Sequence, residues 1–443
     1  MADIRPFRGW RFNPARVGDL SQVIAPPYDV ISPDDQQRLY ARSPYNVVRV
    51  ELTQPEPSDA AGAEGDAARH ARARATLASW IEDGVLQQDE APSLYLYEQQ
   101  YRHGGATRAL RSILAAVRLA PWSAGSIVRH EHTLARPRQE RLGLLRATAT
   151  NISPIWSLYE DPTDRVAASL EALWVLPPET AAVDEWGVRH SLRVARDAAA
   201  LGEVMATLAE QPFFIADGHH RYETALAYQA EMRERHSGVE ELPSDFVLMM
   251  LTTASTEGLL VLPTHRLFHN IPEDRLARLP ERLSRAFAVN DLTMPDEPEQ
   301  LQALLDRHLL APDGTPLGRR FILLGPEPAR LRLLTLQDPG ITAAAPAAPL
   351  ADLDVWLAHE AILDRMLGMD AASLTRQEHL TYTRDAAEAA RSVRSGESQL
   401  ALFLAYTPVR QLLAVARAGA VMPQKSTYFY PKPATGMVIR RMD

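Results

Sequence analysis

The pattern of apolar and polar positions changes abruptly within residues 212–230. The continuous apolar run 213–215 is typical of a short buried strand. After Asp217 and Gly218 the apolar positions recur at helical spacing, so the pattern predicts a tight turn and then a helix from His219. A helix start offers free backbone N–H groups and the positive end of the helix dipole, and this stretch therefore predicts an anion site.

Charged and titratable side chains crowd this predicted helix start. An acid, two imidazoles and a fixed cation directly follow an apolar strand, as Asp217, His219, His220 and Arg221. A helix start needs only one capping residue. We therefore favour a site for phosphate chemistry over the alternative of a capped helix with an Asp–Arg pair and exposed imidazoles.

Elsewhere the apolar patterns predict an α+β protein. A hairpin is expected around Gly104-Gly105, a buried strand over 244–254 and a strand over 47–52. Residues 272–336 predict helix, strand, helix, strand and strand, and the Ala/Pro-rich stretch 341–350 predicts a linker. The expected domains are a core over 1–270, an accessory α/β insertion over 271–340 and a C-terminal region over 341–443.

Two further stretches combine charges with hydroxyl groups. The first, 127–158, places HEHT before a predicted arginine-rich helix, and the second, 422–436, places a lysine and two hydroxyls before an aromatic strand. A solvated basic helix and a decorated edge strand are the structural alternatives. The candidate residues are His130, Glu131, Thr133, Arg141, Asn151, Ser153, Lys425, Ser426 and Thr427.

Lysine use is uneven in this sequence. Of 47 basic residues only Lys425 and Lys432 are lysines, and both lie in one C-terminal stretch. A lysine is a compact point charge that the planar fork of arginine does not replace at a phosphate site. The pattern favours a phosphate contact there, with chance placement as the alternative.

Two pairs of residues are candidates for substrate contacts. A rigid Pro-Pro segment presents Tyr28 and Asp29, and His265 and Arg266 follow an apolar run. Either pair could instead be structural.

Composition excludes several classes of chemistry. The chain has no cysteine, which excludes disulfides, thiol nucleophiles and cysteine-ligated metals. A net charge of −9 argues against nucleic-acid binding. No apolar stretch approaches the ~20 residues of a membrane span, and the start of the chain lacks a signal peptide, so we expect a cytoplasmic protein without membrane contact. His130 and His132 could share a metal, but no metal ligand is assigned.

The motifs together resemble the bacterial family known as domain of unknown function 1015. They occur in order along nearly the whole chain, as APPYDVIS at 25–32, HE-x-T at 130–133, N-x-SPI at 151–155, IADGHHRYETA at 215–225, LPTHR at 262–266 and MPxKSTYFYPKxxTG at 422–436.

The DGHHR segment also resembles that of the free serine kinase in the ParB/sulfiredoxin-like superfamily. The resemblance implies a ParB/sulfiredoxin-like core, here with the accessory insertion and a C-terminal segment returning to the site. It implies Asp217 and a separate glutamate as catalytic carboxylates, for which Glu131 is the best candidate, and His220 is a further catalytic candidate. The rest of the motif, Gly218, His219 and Arg221, would hold phosphate.

These observations predict a small-molecule kinase. It would transfer a phosphoryl group from a nucleotide (ATP or ADP) or pyrophosphate to the hydroxyl of L-serine or a similar metabolite, with Mg²⁺. The three charged stretches must then fold onto a common pocket. The alternatives are a phosphatase or nucleotidase, a non-catalytic nucleotide-binding protein, and a metal-dependent enzyme that uses the histidines. The sequence does not predict the oligomeric state.

Overall fold

A computed structural model describes residues 2–131, 135–327, 330–369, 379–423 and 425–442, without the side chains of 135–138 and 298. The chain forms two compact units. The first unit comprises Met1–Arg129, Thr133–Leu260 and Pro431–Asp443, and the second comprises His130–His132 and Val261–Tyr430.

Most strands are short, and two of them, the fourth and the fifth, are long. They are β1 (Ile4–Arg5), β2 (Trp10–Phe12), β3 (Leu86–Gln88), β4 (Leu94–His103), β5 (Ala106–Arg118), β6 (Ile127–Val128), β7 (Thr150–Asn151), β8 (Ile155–Tyr159), β9 (Thr180–Val183), β10 (Arg189–Ala195), β11 (Phe213–Asp217), β12 (Phe246–Thr253), β13 (Leu260–Leu262), β14 (His265–Phe268), β15 (Phe287–Thr293), β16 (Arg320–Leu324), β17 (Arg330–Leu336), β18 (Leu380–Thr383), β19 (Leu400–Phe403), β20 (Tyr428–Tyr430) and β21 (Arg440–Arg441).

The helices vary from one turn to five. They are α1 (Pro14–Val17), α2 (Pro33–Arg42), α3 (Val48–Glu51), α4 (Ala63–Glu82), α5 (Ala135–Thr148), α6 (Arg165–Trp174), α7 (Ala198–Ala209), α8 (His219–Arg235), α9 (Glu273–Ala286), α10 (Leu301–Leu309), α11 (Pro339–Ala343), α12 (Asp354–Leu357), a π-helix (Ala358–Met366), α13 (Ala386–Ser395) and α14 (Val409–Arg417).

The first unit is built on a large mixed sheet. In the described residues it has nine strands in the order β6-β11-β8-β12-β5-β4-β10-β9, with β1 beside β5. The pairs β6/β11 and β8/β12 are parallel, whereas β11/β8 and β4/β5 are antiparallel. Apolar side chains of the sheet pack with those of α6, α7 and α8 into one core. The predicted hairpin is confirmed, because β4 and β5 flank Gly104 and Gly105.

The predicted central strand, turn and helix are confirmed. Strand β11 ends at Asp217, Gly218 has φ 94°, and α8 begins at His219. The apolar run before the turn is buried, with Phe213 and Ile215 at 0% exposure. The mixed α/β architecture with a large sheet agrees with the predicted fold class.

The second unit has its own sheet. In the described part of the chain its strand order is β15-β17-β16-β19-β14-β18, and the recorded pairs are antiparallel. Leu267 of β14 packs with α10 and α13 in a separate core. The helix and strand order predicted for 272–336 is confirmed by α9, β15, α10, β16 and β17. The division into domains at 1–270, 271–340 and 341–443 remains a prediction.

Two local predictions were wrong. The segment 47–52 is not a strand but contains α3, because the side chain of Asn46 accepts a hydrogen bond from the Val48 N–H at 3.0 Å and fixes a turn there. The segment 341–350 is not a simple linker, since its two large apolar residues, Ile341 and Leu350, are buried.

No helix among the described residues combines the length and the apolar character that crossing a membrane requires.

Candidate functional site

Three charged side chains meet where β11 ends. Lys432 Nζ lies 2.5 Å from Asp217 Oδ2, and Arg221 Nη2 lies 3.5 Å from Asp217 Oδ1. Their side chains are 8%, 12% and 9% exposed, for Lys432, Asp217 and Arg221. Arg221 Nη1 also donates to the carbonyl oxygen of Pro154. We call these three residues the Asp217 cluster.

Gly218 allows this cluster to form at the helix start. Its φ of 94° lies in the left-handed region that side chains disfavour. A Cβ at this position would also lie 3.0–3.1 Å from the guanidinium atoms of Arg221. The turn therefore needs a glycine both for its backbone angle and for the space that Arg221 occupies.

The cluster keeps its acid ionised. Burial by itself would raise the pKa of Asp217, but the charges of Lys432 and Arg221 outweigh it and hold the pKa well below the ordinary value of 3.8. Burial opposes the charged form of Arg221 as well, yet Asp217 and other nearby acids raise its pKa. The cluster is thus a fixed arrangement of one negative and two positive charges at the N-terminus of α8.

A second buried acid lies beside the cluster in the first unit. Glu51, at the end of α3, is 3% exposed. It accepts a hydrogen bond from Ser153 Oγ at 3.0 Å, and Arg141 Nη1 donates to its backbone oxygen at 2.8 Å. Burial raises the pKa of Glu51, and the charges of Arg141 and Arg221 oppose that effect. The Arg141 guanidinium also lies 4.1 Å from the ring centre of Tyr28.

A small cavity with both polar and apolar lining connects these groups. Its volume is about 50 Å³, and its lining includes Glu51, Arg141, Ser153 and Arg221. The Nε atoms of both arginines are buried without a hydrogen-bond partner. A cavity of this size has room for one or a few water molecules, which would satisfy these donors.

The predicted segments 130–131 and 425–427 meet within the second unit. His130 Nε2 lies 3.3 Å from Thr427 Oγ1, and Thr427 Oγ1 donates to Glu131 Oε1 at 3.4 Å. The backbone adds a hydrogen bond from the Met422 N–H to the His130 oxygen at 2.8 Å. Convergence of these segments with 217–221 remains a prediction.

Lys425 and Ser426 differ in their surroundings. Lys425 is exposed and has a left-handed φ of 56°. Ser426 is 3% exposed and its Oγ donates to the Pro423 carbonyl at 2.5 Å. Ser426 is thus engaged in a local turn.

The remaining candidates of the first unit are placed as follows. His219 is buried and His220 is half-buried in the first turn of α8, and Asp29 is exposed in a 3₁₀ turn. Asn151 Oδ1 accepts hydrogen bonds from the Leu248 N–H at 3.1 Å and from Arg440 Nη1 at 3.3 Å. Asn151 therefore joins strands in this structure.

Two candidates lie elsewhere. His265 and Arg266 are buried in β14 of the second unit. Thr133 lies outside the described residues.

Sequence reasoning missed two residues, Glu51 and Lys432. Glu51 is the one acid in the apolar run VVRVEL, and a buried acid in such a run was the available signal. Lys432 was one of two notable lysines, but the adjacent hydroxyls directed the assignment to Lys425. The partner of Asp217 in the structure is Lys432.

Asp217 in this arrangement does not fit a Mg²⁺ site. Both of its carboxylate oxygens face cations. Among the described residues there is also no group of three side chains suited to hold a metal ion.

Comparison with protein families identifies the class of this chain. Residues 4–356 match the family described as "Protein of unknown function (DUF1015)", and the chain belongs to that family. A search of curated proteins gave no match.

Solved structures show only distant similarity. A conserved hypothetical protein from Pyrococcus furiosus is 11% identical, with 73% of this chain and 91% of that chain covered and a TM-score of 0.34. A free serine kinase in complex with AMP is 12% identical, with 72% and 86% covered and a TM-score of 0.34. A variant of a free serine kinase in complex with ADP is 9% identical, with 72% and 87% covered and a TM-score of 0.33. Similarity at this level does not support an inference about activity.

Proposed function

We propose that the protein is a small-molecule kinase that transfers a phosphoryl group from ATP, ADP or pyrophosphate to the hydroxyl of L-serine or a similar metabolite. The observation that carries the proposal is the Asp217 cluster, which fixes two cations beside the N-terminus of α8. Phosphoryl transfer is catalysed mainly by positioning and by charge stabilisation, and this arrangement supplies both. The resemblance of DGHHR to the free serine kinase motif supports the same chemistry.

In this proposal the cations act on the transferring group. Arg221, Lys432 and the backbone N–H groups at the start of α8 would neutralise the negative charge that develops on the phosphoryl oxygens. His219 and Gly218 would contribute further donors to the same oxygens. Because Asp217 holds the two cations in place before substrate arrives, little reorganisation is needed during the reaction.

Asp217 is better suited to hold charge than to accept a proton. A general base works best when its pKa lies near the operating pH, and the pKa of Asp217 lies below 3.8. We therefore propose that Asp217 is a positioning residue for Lys432 and Arg221. The role of general base falls to Glu131 or His220, both of which the sequence nominated.

Arg141 and Ser153 take a supporting role in this proposal. Both contact Glu51 and line the cavity that Arg221 also lines. They would hold Arg221 in position through the shared cavity and would not bind the phosphate directly. A ParB/sulfiredoxin-like core for the first unit is part of the same proposal.

The proposal is tested by product analysis with labelled donors. Purified protein is incubated with ATP, ADP or pyrophosphate labelled in the terminal phosphate, with and without L-serine and other hydroxyl metabolites. The proposal expects a phosphorylated metabolite whose formation requires the acceptor. Release of free phosphate at the same rate with and without acceptor would instead support a phosphatase or nucleotidase. Binding of donor without any product would contradict both.

A further inference from the structure

The second unit contains a buried arginine, Arg266, for which the described residues supply no ion-paired acid. Arg266 is 0% exposed in β14. Its Nη1 donates to the carbonyl oxygen of Thr264 at 2.5 Å, whereas its Nε and Nη2 atoms are buried without a hydrogen-bond partner. Since a guanidinium carries five N–H donors, at least three of those of Arg266 are unused.

Another arginine of the same sheet shows the usual arrangement. Arg332 in β17 is also buried, at 5% exposure, but its Nη2 donates to Glu327 at 2.9 Å and its Nη1 donates to the Gly325 carbonyl at 2.5 Å. In the described part of the chain no carboxylate forms an ion pair with Arg266. Burial lowers the pKa of Arg266, opposed only by the Tyr382 phenol.

Tyr382 lies beside Arg266, and His359 is near enough for the charge of Arg266 to lower its pKa. The strand register places Tyr382 directly opposite Arg266, with the guanidinium 5.8 Å from the ring centre. His359 lies in the π-helix, and its Nε2 is buried without a partner. Burial and then the charge of Arg266 lower the pKa of His359 to about 3, so this imidazole is neutral at physiological pH.

His265 does not belong to this group, although it is next to Arg266 in sequence. Successive side chains of a strand point to opposite faces. The His265 ring packs against Phe403 at 5.1 Å. Arg266 therefore acts without its sequence neighbour.

We propose that Arg266, His359 and Tyr382 form a binding site for a phosphate group within the second unit. A buried charge is stable only when it is paired, and a bound anion would supply the missing partner. The Nε and Nη2 donors can hold two oxygens in the fork geometry that arginine offers to oxyanions, and a neutral His359 with its proton on Nε2 adds a third donor. A phosphate group presents three or four oxygens around one centre, so the arginine fork and the imidazole can each contact different oxygens. This site needs no phosphoryl transfer and stands whether or not the proposed function is correct.

The test compares thermal unfolding and anion binding of the full chain and of two matched variants. Arg266→Met removes the unpaired arginine, and Arg332→Met removes the paired one. In phosphate-free buffer Arg266→Met should be no less stable than the wild type, because it removes an unpaired buried charge. Saturating inorganic phosphate or pyrophosphate should raise the Tm of the wild type and of Arg332→Met by about 2–4 °C more than that of Arg266→Met.

Calorimetry gives a second readout of the same site. The Kd for inorganic phosphate should be about tenfold weaker in Arg266→Met, which corresponds to the loss of one charge-assisted contact. Repeating the comparison with ATP shows whether the phosphate group is taken free or as part of a nucleotide, and either result supports the site. Arg266→Met is also combined with Lys432→Met. If it weakens phosphate binding by the same factor there, the Asp217 cluster is not responsible for the loss of affinity.

Three results would overturn the proposal. One is equal binding of phosphate by the wild type and Arg266→Met. Another is a decrease in the Tm of Arg266→Met that is the same with and without phosphate, which would assign a purely structural role. The third is equal stabilisation by acetate, which would show a carboxylate site instead.

Discussion

Arg221 of the first unit has a side chain that is 9% exposed, and Arg266 of the second is 0% exposed. Both follow a histidine in a recognisable motif, but their surroundings are opposite. Arg221 pairs with Asp217 and donates to the Pro154 carbonyl, and nearby acids raise its pKa. Arg266 has no acid partner among the described residues, and burial lowers its pKa. Within the part of the chain that the structure describes, one arginine is part of a balanced group, whereas the other has no acid that balances its charge.

This difference shows two ways in which a protein can prepare a cation for an anionic ligand. In the Asp217 cluster an acid holds the cations in place, so the protein itself provides the charge balance that burial requires. At Arg266 the balance is left for a ligand to provide. Both motifs contain a His-Arg pair, and the two arginines differ only in the residues that contact them from distant parts of the sequence.

The largest effect that this comparison predicts is the loss of stability when Lys432 is replaced. Replacement of Lys432 by Met leaves the buried Asp217 with a single weaker partner, and we expect a loss of about 3–5 kcal/mol in the free energy of unfolding. Lys425→Met is the matched control, because Lys425 is exposed, and it should change stability by less than about 0.5 kcal/mol. Urea unfolding measures both. Equal losses would mean that the Asp217–Lys432 pair does not stabilise the first unit.

The second prediction sets the two arginines against each other. Arg221→Met removes a charged partner of Asp217 and should destabilise the protein by about 2 kcal/mol. Arg266→Met should be neutral or stabilising in phosphate-free buffer. Denaturant titrations of the two variants under one condition give the comparison. A similar loss in both would contradict the distinction between a balanced and an unbalanced buried arginine.

The third prediction concerns the turn that carries the cluster. Gly218→Ala forces a side chain into a left-handed backbone angle and against Arg221, and it should cost about 1–3 kcal/mol. Gly202→Ala in α7 is the control, since a Cβ there meets no atom within 4 Å and alanine favours a helix. That variant should be stabilised by up to about 1 kcal/mol. Thermal unfolding distinguishes the two, and a stabilising Gly218→Ala would refute the close approach of Arg221.

The fourth prediction concerns a difference in acid sensitivity. Burial lowers the pKa of His265 to about 3, whereas the unfolded value is 6.5, so the unfolded state binds a proton first. The contribution of His265 should therefore lower the free energy of unfolding by about 1.4 kcal/mol per pH unit as the pH drops from 6.5 towards 3.

Asp217 behaves differently with pH. Its folded pKa is depressed, so its contribution is present above the ordinary value of 3.8 and is lost only as the pH falls below it. The free energy of unfolding, measured from pH 7 to pH 4, should have a shallower slope in His265→Phe than in the wild type. An unchanged slope would show that His265 is not buried as a neutral ring.

Local pattern was sufficient to predict the strand, turn and helix around Asp217. A short apolar run, a glycine and a helical repeat are all read from adjacent residues, and the structure confirms each. The pairing of Asp217 with Lys432 was not predicted, since it joins positions more than two hundred residues apart and the hydroxyls beside Lys425 favoured the other lysine.

Glu51 shows a second limit of sequence reasoning. Its segment has the β-branched residues of a strand, but the hydrogen bond that the Asn46 side chain accepts from the Val48 N–H favours a helical turn. This turn places the acid next to Ser153 and Arg141. The opposite surroundings of Arg221 and Arg266 could likewise not be predicted from the sequence, because they depend on which distant side chains pack around each arginine.

Labelled phosphoryl transfer by Asp217→Asn and Asp245→Asn tests the central claim most directly. Asp245 is the matched control, because it is also buried in the first unit and pairs with an arginine, Arg233, at 2.5 Å. With the folded fraction of each variant determined by circular dichroism, Asp217→Asn should lower the rate of transfer to the acceptor by about 10²–10³-fold, whereas Asp245→Asn should retain the wild-type rate per folded molecule. Folded Asp217→Asn that transfers at the wild-type rate, or an equal loss in both variants, would contradict the claim that the Asp217 cluster is the site of phosphoryl transfer.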